Sequence, residues 1–136
     1  MTISKATPYL IVGGQSERAI ALYQAAFRAE VKSLQRFGDV NGSCPEAQKQ
    51  RVMHAELTLG GATLMLSDGD GETPSPGGVV SIALNLDDPA QAHESFEVLA
   101  KSGKTIQPLF DAPWGALFGV VVDELGVSWM FNCAKS

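Results

Sequence analysis

Apolar and polar positions alternate with two different periods along this chain, and the periods change in the same order twice. Over residues 51–59 the period is two: Met53, Ala55, Leu57 and Leu59 point one way, His54, Glu56 and Thr58 the other. That pattern predicts a half-buried strand whose apolar set faces a helix. Over residues 16–27 the period is helical, with Ile20, Tyr23 and Phe27 at i, i+3 and i+7 and Ala19, Leu22 and Ala26 widening the stripe. Ser16 is the expected N-cap. A second helix is predicted over residues 89–101, where Ala92, Phe96 and Leu99 form the stripe, Asp88 is the N-cap and Pro89 takes the first helical position. His93 falls off that stripe and reads as a solvated side chain.

Laying Gly61 on Gly126 places residues 62–67 over 127–132, each behind a short turn and an apolar run, residues 52–59 and 118–122. Upstream of each pair lies an apolar strand followed by a helix: residues 9–12 then 16–27, and 79–86 then 89–101. The order β-α-β-β-β therefore occurs twice, and a duplicated supersecondary unit sets the architecture. The expected fold is α+β, with βαβββ units at residues 1–68 and 79–134 in a single domain, forming a curved mixed sheet around a cleft. A Gly/Pro-rich linker, residues 69–78, joins the units, and residues 38–50 form a loop long enough to act as a flap.

Composition narrows the functional classes. At 136 residues and 45% hydrophobic, the chain can bury a core without disulfides or a structural metal. A net charge of −5 and the absence of a basic run argue against nucleic acid as a partner. No apolar stretch approaches the ~20 residues of a membrane span, and the N-terminal residues lack a signal-peptide apolar region. Cys44 and Cys133 fit neither a disulfide framework nor a Cys-x-x-Cys site, so the expectation is a reduced pair in a cytoplasmic protein.

Ordered along the chain, Thr7-Pro8-Tyr9-Leu10, Ala19-Ile20-x-x-Tyr23-x-x-Ala26-Phe27, His54-Ala55-Glu56-Leu57 and Leu64-Met65-Leu66-Ser67-Asp68 precede Trp114-Gly115-x-x-Phe118-Gly119 and Gly126-Val127-x-Trp129-Met130-x-Asn132. Together they resemble the PhnB-like branch of the vicinal oxygen chelate superfamily, which also holds glyoxalase I, extradiol dioxygenases, fosfomycin-resistance proteins and bleomycin-binding proteins. The resemblance implies the glyoxalase/bleomycin resistance/dioxygenase fold. Two departures stand out: Arg28 replaces the usual Gly after the Ala-Phe pair, and Glu124-Leu125 replaces a common Pro-Phe before Gly126. The first bears on the helix C-cap.

In metal-dependent members of that superfamily, ligands come from the first and fourth strand of each unit. Carried over, those positions are Pro8, Met65, Ser81 and Met130, none of them a usual ligand for nickel, zinc, manganese or iron. The expectation is no metal and no cofactor. His54 and Glu56 remain, two residues apart on one strand face, able to act as an acid/base couple or to serve structurally as hydrogen-bonded residues of the cleft wall. The rest of the expected cleft is Pro8, Leu10, Thr58, Met65 and Ser67 from the first unit. The second unit adds Ser81, Asn85, Ser128, Met130 and Asn132, and Trp114, in a loop after Pro113, is either an aromatic lid over the cleft or a buried loop anchor. Tyr9 and Trp129 are expected in the core.

Other constellations are missing. No Gly-x-Gly-x-x-Gly turn, phosphate-binding loop or nucleophile elbow is present, and no glycine-rich turn suited to a methyl donor follows a strand of a parallel βαβ unit. Two functions from different classes survive: a metal-free small-molecule-binding protein, and a lyase, isomerase or oxygenase that uses His54 and Glu56 with or without an atypical metal. The acidic balance favours polar or cationic ligands in the first case. Exposed strand edges and the glycine-rich linker predict a homodimer, with units exchanged between chains or not.

Overall fold

Two helical stripes each cover one sheet, as the repeated pattern predicts. The computed structural model describes residues 5–69 and 80–134. The chain divides into two compact units, Met1–Ser75 and Pro76–Ser136. Most of the expected linker, residues 70–78, lies outside the described residues.

Unit 1 runs β1 (Tyr9–Ile11), α1 (Ser16–Phe27), β2 (Glu30–Arg36), a one-turn helix α2 (Phe37–Val40), a 3-10 turn (Glu46–Gln48), β3 (Val52–Leu59) and β4 (Ala62–Ser67). Unit 2 runs β5 (Ile82–Leu86), α3 (Pro89–Ser102), β6 (Lys104–Asp111), β7 (Ala116–Val122) and β8 (Ser128–Ala134). Hydrogen bonding groups the strands into two four-stranded mixed sheets, one per unit, in the orders β1-β4-β3-β2 and β5-β8-β7-β6. In each, the first strand pairs parallel with the last and the remaining pairs are antiparallel. The βαβββ order thus occurs in both.

Periodicity fixes what is buried. In α1, Ala19, Ile20, Tyr23, Ala26 and Phe27 are buried, and in α3 Ala92, Phe96 and Leu99. Against them lie Ala55, Leu57, Leu64 and Leu66 in unit 1, and Trp129, Phe131 and Cys133 in unit 2. The absence of a side chain at Gly119 lets α3 close on β7, since a Cβ there would stand 2.9 Å from Phe96. His93 is solvated, as its place off the stripe predicts.

Helix ends differ from expectation in one case and match in another. Asp88 caps α3, its carboxylate accepting the Ala90 N–H at 3.0 Å, with Pro89 next. Ser16 does not cap α1: Gln15 is the N-cap residue, and Ser16 is the first helical residue, with its side chain buried. The reason is tertiary. Asp68, at the end of β4, accepts the Ser16 N–H at 2.7 Å, and this carboxylate does what a capping hydroxyl would.

The expected flap is tied back on itself. Phe37 donates its N–H to the Arg51 carbonyl and Gly38 to that of Lys49, while the Asn41 side chain accepts from Ser43 in a local turn.

Candidate functional site

Strand register assigns each candidate residue to a face. In unit 1 Glu56 pairs with Met65 and Ser33, His54 with Gln35, and Thr58 with Thr63. Directly paired residues project to the same side, so His54, Glu56, Thr58 and Met65 share the face opposite α1. Ser67 belongs to that side by alternation, yet it is buried, its hydroxyl accepting the Gly69 N–H.

The first strand is shifted by one residue from the expected phase. Tyr9 pairs with Met65, and Leu10 pairs with the fully buried Leu66. Leu10 therefore packs toward the helix, and Tyr9, expected in the core, is 45% exposed on the open face. Pro8 precedes the strand, is exposed, and contributes only its carbonyl, which accepts the Met65 N–H at 3.0 Å. Parallel pairing with β4 decides this phase. Three residues, none of them charged, give alternation nothing to mark.

The shift brings a new group to the face. The Tyr9 hydroxyl lies 3.0 Å from Nδ1 of His54, and the two rings are 5.6 Å apart at their centroids. Glu56 is engaged separately, its carboxylate 4.0 Å from the Lys32 ammonium on β2. His54 and Glu56 thus share a face but each has its own partner.

In unit 2 the corresponding face is more apolar. Met130 pairs with Val120 and, across the parallel ladder, with Ala83; Asn132 pairs with Phe118 and Asn85. The Ser81 and Ser128 hydroxyls are hydrogen-bonded at 2.8 Å. Trp114, in the β6–β7 connection and 60% exposed, reaches back over the sheet. Its indole N–H donates to the Asn132 side-chain oxygen at 3.1 Å, and its ring meets Phe118 edge-on at 5.3 Å. Phe110 packs edge-on against Phe118 from the other direction, at 6.4 Å. Buried Trp129, by contrast, belongs to the core, as expected, with its N–H on Asp123.

Set side by side, the two registers match the internal repeat. Glu56, Met65 and Tyr9 form a row across unit 1; Val120, Met130 and Ala83 form the equivalent row across unit 2. Hydrogen-bonding chemistry is concentrated in the first row and apolar contact in the second. The first row supplies one carboxylate, Glu56, and the second none, short of the set of nitrogen and carboxylate donors that a hard or borderline divalent metal needs, and among the described residues no group of three or more His, Cys, Asp and Glu side chains could hold a metal ion. The residues present do not fit the metal site of the metal-dependent members.

A cavity of about 470 Å³ lies elsewhere in unit 1, at the start of α1, lined by Gly14, Gln15, Glu17, Arg18, Gln50, Arg51 and Asp68. Its polar groups are largely committed to one another. Arg51 donates to the Asp68 and Gly69 carbonyls, Arg18 to Gln15, and Glu17 accepts from Arg36.

Residues 4–131 match the model of a family described as 3-demethylubiquinone-9 3-methyltransferase. The chain belongs to this family. Within it, the PhnB-like chain is 34% identical to protein PA1353 from Pseudomonas aeruginosa, over 98% of this chain and 100% of that one, with a TM-score of 0.84. A PhnB protein from Bacillus cereus is 27% identical over 96% of this chain and 100% of its own, with a TM-score of 0.75. The fold extends further, to the fosfomycin resistance protein FosX of Listeria monocytogenes, at 14% identity over 99% of this chain and 96% of that one, with a TM-score of 0.68. The PhnB-like chain therefore has the glyoxalase/bleomycin resistance fold. Among the described residues no helix is long and apolar enough to cross a membrane.

Proposed function

We propose that this PhnB-like protein binds a small organic molecule and needs no metal to do so. The observation that carries the reading is Trp114: a 60% exposed indole held over the open face of unit 2 by one hydrogen bond to Asn132. An exposed aromatic surface beside a few placed polar groups is the ordinary make-up of a small-molecule site. Beside Trp114 on that face, Met130 is the apolar contact. The open face of unit 1, taken by itself, offers hydrogen bonds through His54, Glu56, Thr58 and Tyr9, with Met65 as its apolar contact. The methyl transfer in the family's name is not part of this reading.

A thermal-shift screen of small polar and aromatic molecules tests it, because a ligand that binds only the native state raises the melting temperature. Hits are expected whose shift is lost in Trp114→Ala. A broad screen without hits, on protein shown to be folded, would overturn the proposal. Elemental analysis of untagged protein should find well under one equivalent of nickel, zinc, manganese or iron per chain, and stoichiometric metal surviving dialysis would contradict the metal-free reading.

A second reading is favoured by the Tyr9–His54 contact: an enzyme in which His54 moves a proton, with Glu56 on the same face. Turnover of a ligand found by the screen, abolished in His54→Gln but with binding retained, would select it.

We further propose a homodimer in a reducing, cytoplasmic setting, since β1 and β2 are the edge strands of one sheet and β5 and β6 of the other, and both cysteines are free. Light scattering should give twice the monomer mass. Shortening the linker at residues 69–78 should favour exchange of units between chains.

A further inference from the structure

We infer that Tyr9 is a positioning residue that fixes the tautomer of His54, so that the open face of unit 1 presents an Nε2–H donor to a neutral carbonyl oxygen of the ligand. The inference rests on the small-molecule reading for its ligand, but not for its chemistry. The Tyr9 hydroxyl is 3.0 Å from Nδ1 of His54. A phenol is a good donor and a poor acceptor, while the bare nitrogen of a neutral imidazole is a strong acceptor, so the proton between them belongs to the oxygen. Nδ1 then has no proton, and the ring carries its single proton on Nε2.

Strand pairing makes this arrangement possible. Tyr9 is paired with Met65, and Met65 with Glu56, so Tyr9 and the β3 residues stand on one face with β4 between them. A side chain spanning that interval must be long and end in a donor, as tyrosine does. Among the described residues no partner is found for Nε2 of His54, which leaves that atom for a ligand.

The charges on the face choose the ligand's acceptor. Glu56, two residues along β3, presents a carboxylate, and the Lys32 that faces it from β2 is 4.0 Å away and mostly solvated. A ligand carboxylate or phosphate at Nε2 would meet the field of Glu56 and of a chain of net charge −5. A neutral carbonyl accepts the same hydrogen bond without that repulsion, and a donor on the same ligand could use Glu56 as its acceptor.

The chain has two histidines, His54 and the solvated His93, so ¹⁵N spectra of histidine-labelled protein are readily assigned. In the neutral imidazole, His54 should show a bare Nδ1 and a protonated Nε2. Tyr9→Phe keeps the ring contact and removes the donor, and it should shift the tautomer ratio toward Nδ1–H by about fivefold, the factor an ordinary net hydrogen bond supplies. His93 should not change. A proton on Nδ1 in the wild-type protein, or a ratio unmoved in Tyr9→Phe, would overturn the inference. If Tyr9→Phe does not fold, a proton on Nδ1 in the wild-type spectrum would still overturn the inference, and His93 in the same spectrum gives the unconstrained tautomer ratio that His54 must exceed in favour of Nε2–H. Acetophenone and benzoate then test the ligand class: acetophenone should shift the Nε2–H resonance and benzoate should not, and the reverse would sink the carbonyl assignment. A thermal-shift screen without hits would remove the functional reading while the tautomer result stood on its own.

Discussion

The carboxylate of Asp68 holds the N–H of Ser16 at 2.7 Å, joining the end of β4 to the start of α1 across 52 positions of sequence. Its second oxygen accepts the Val52 N–H, also at 2.7 Å, where β3 begins. One buried side chain thus satisfies the first amide of a helix and the first amide of a strand. Asp68→Ala would leave both donors without their partner, and a loss of about 3 kcal/mol is expected, since bonds to a charged group are each worth roughly 1.5–3 kcal/mol and share one site here. Asp68→Asn keeps one acceptor but turns an amide donor toward the other N–H, so about half to two-thirds of that loss should remain. Urea unfolding measures both. Equal midpoints for wild type and Asp68→Ala would show that water replaces the carboxylate without cost.

Much of this architecture was legible in the sequence, for a physical reason. Helical stripes and the alternation of β3 are one-dimensional records of burial, and Ile20, Tyr23, Phe27, Phe96 and Leu99 are buried as their spacing predicts. The duplicated order of elements was equally open to reading. Long-range pairing was not. Ser16 has the residue type of an N-cap, but Asp68 supersedes it from 52 residues away. The phase of β1 depends on a parallel ladder with β4, and Tyr9-Leu10-Ile11 contains no charged residue to mark the solvent side. That one-residue slip hid Tyr9, and with it the partner of His54. The only available signal was that tyrosine alone among the three carries a polar group.

Trp114 and Trp129 are the chain's two tryptophans, 60% and 0% exposed. Acrylamide should quench a red-shifted component belonging to Trp114 and spare a blue component belonging to Trp129. Trp114→Phe should leave only the latter, with stability changed by about 0.5 kcal/mol, as for other surface substitutions. A ligand seated on the open face of unit 2 should protect the Trp114 component from quenching. Emission dominated by an unquenchable component in the wild type would place Trp114 under other structure.

Burial pushes the Cys133 thiol up, with the Asp88 and Asp87 carboxylates adding to the effect. The neutral thiol is therefore favoured in the folded state. Its contribution to stability is complete below the unfolded-state value, about 8.5 for a free thiol, and is lost as pH rises from there through the folded-state value. At pH 8 a thiol reagent should modify Cys44 in the native protein and reach Cys133 only on unfolding. Cys133→Ala should flatten the decline of stability in the alkaline range. Two rapidly reacting thiols in native protein would contradict the placement of Cys133.

Arg28 occupies the left-handed region at the C-cap of α1, with φ 56° and ψ 38°. Its N–H donates to the Gln24 carbonyl at 3.0 Å, the 5→1 bond of an αL C-cap, and the Ala29 N–H reaches back to the Tyr23 carbonyl at 3.3 Å. The helix therefore ends in the geometry that glycine adopts without strain, although arginine stands there. A side chain in that region costs roughly 1–2 kcal/mol, while glycine gives back part of the gain through the greater freedom of its unfolded chain. Arg28→Gly should accordingly stabilise the protein by about 0.5–1 kcal/mol, or a melting temperature higher by about 2–4 °C at this length. Arg28→Ala keeps the Cβ and the strain, and should leave stability nearly unchanged. If both substitutions destabilise equally, the arginine side chain makes contacts that outweigh its backbone strain. A gain confined to glycine would locate the cost in the left-handed turn itself.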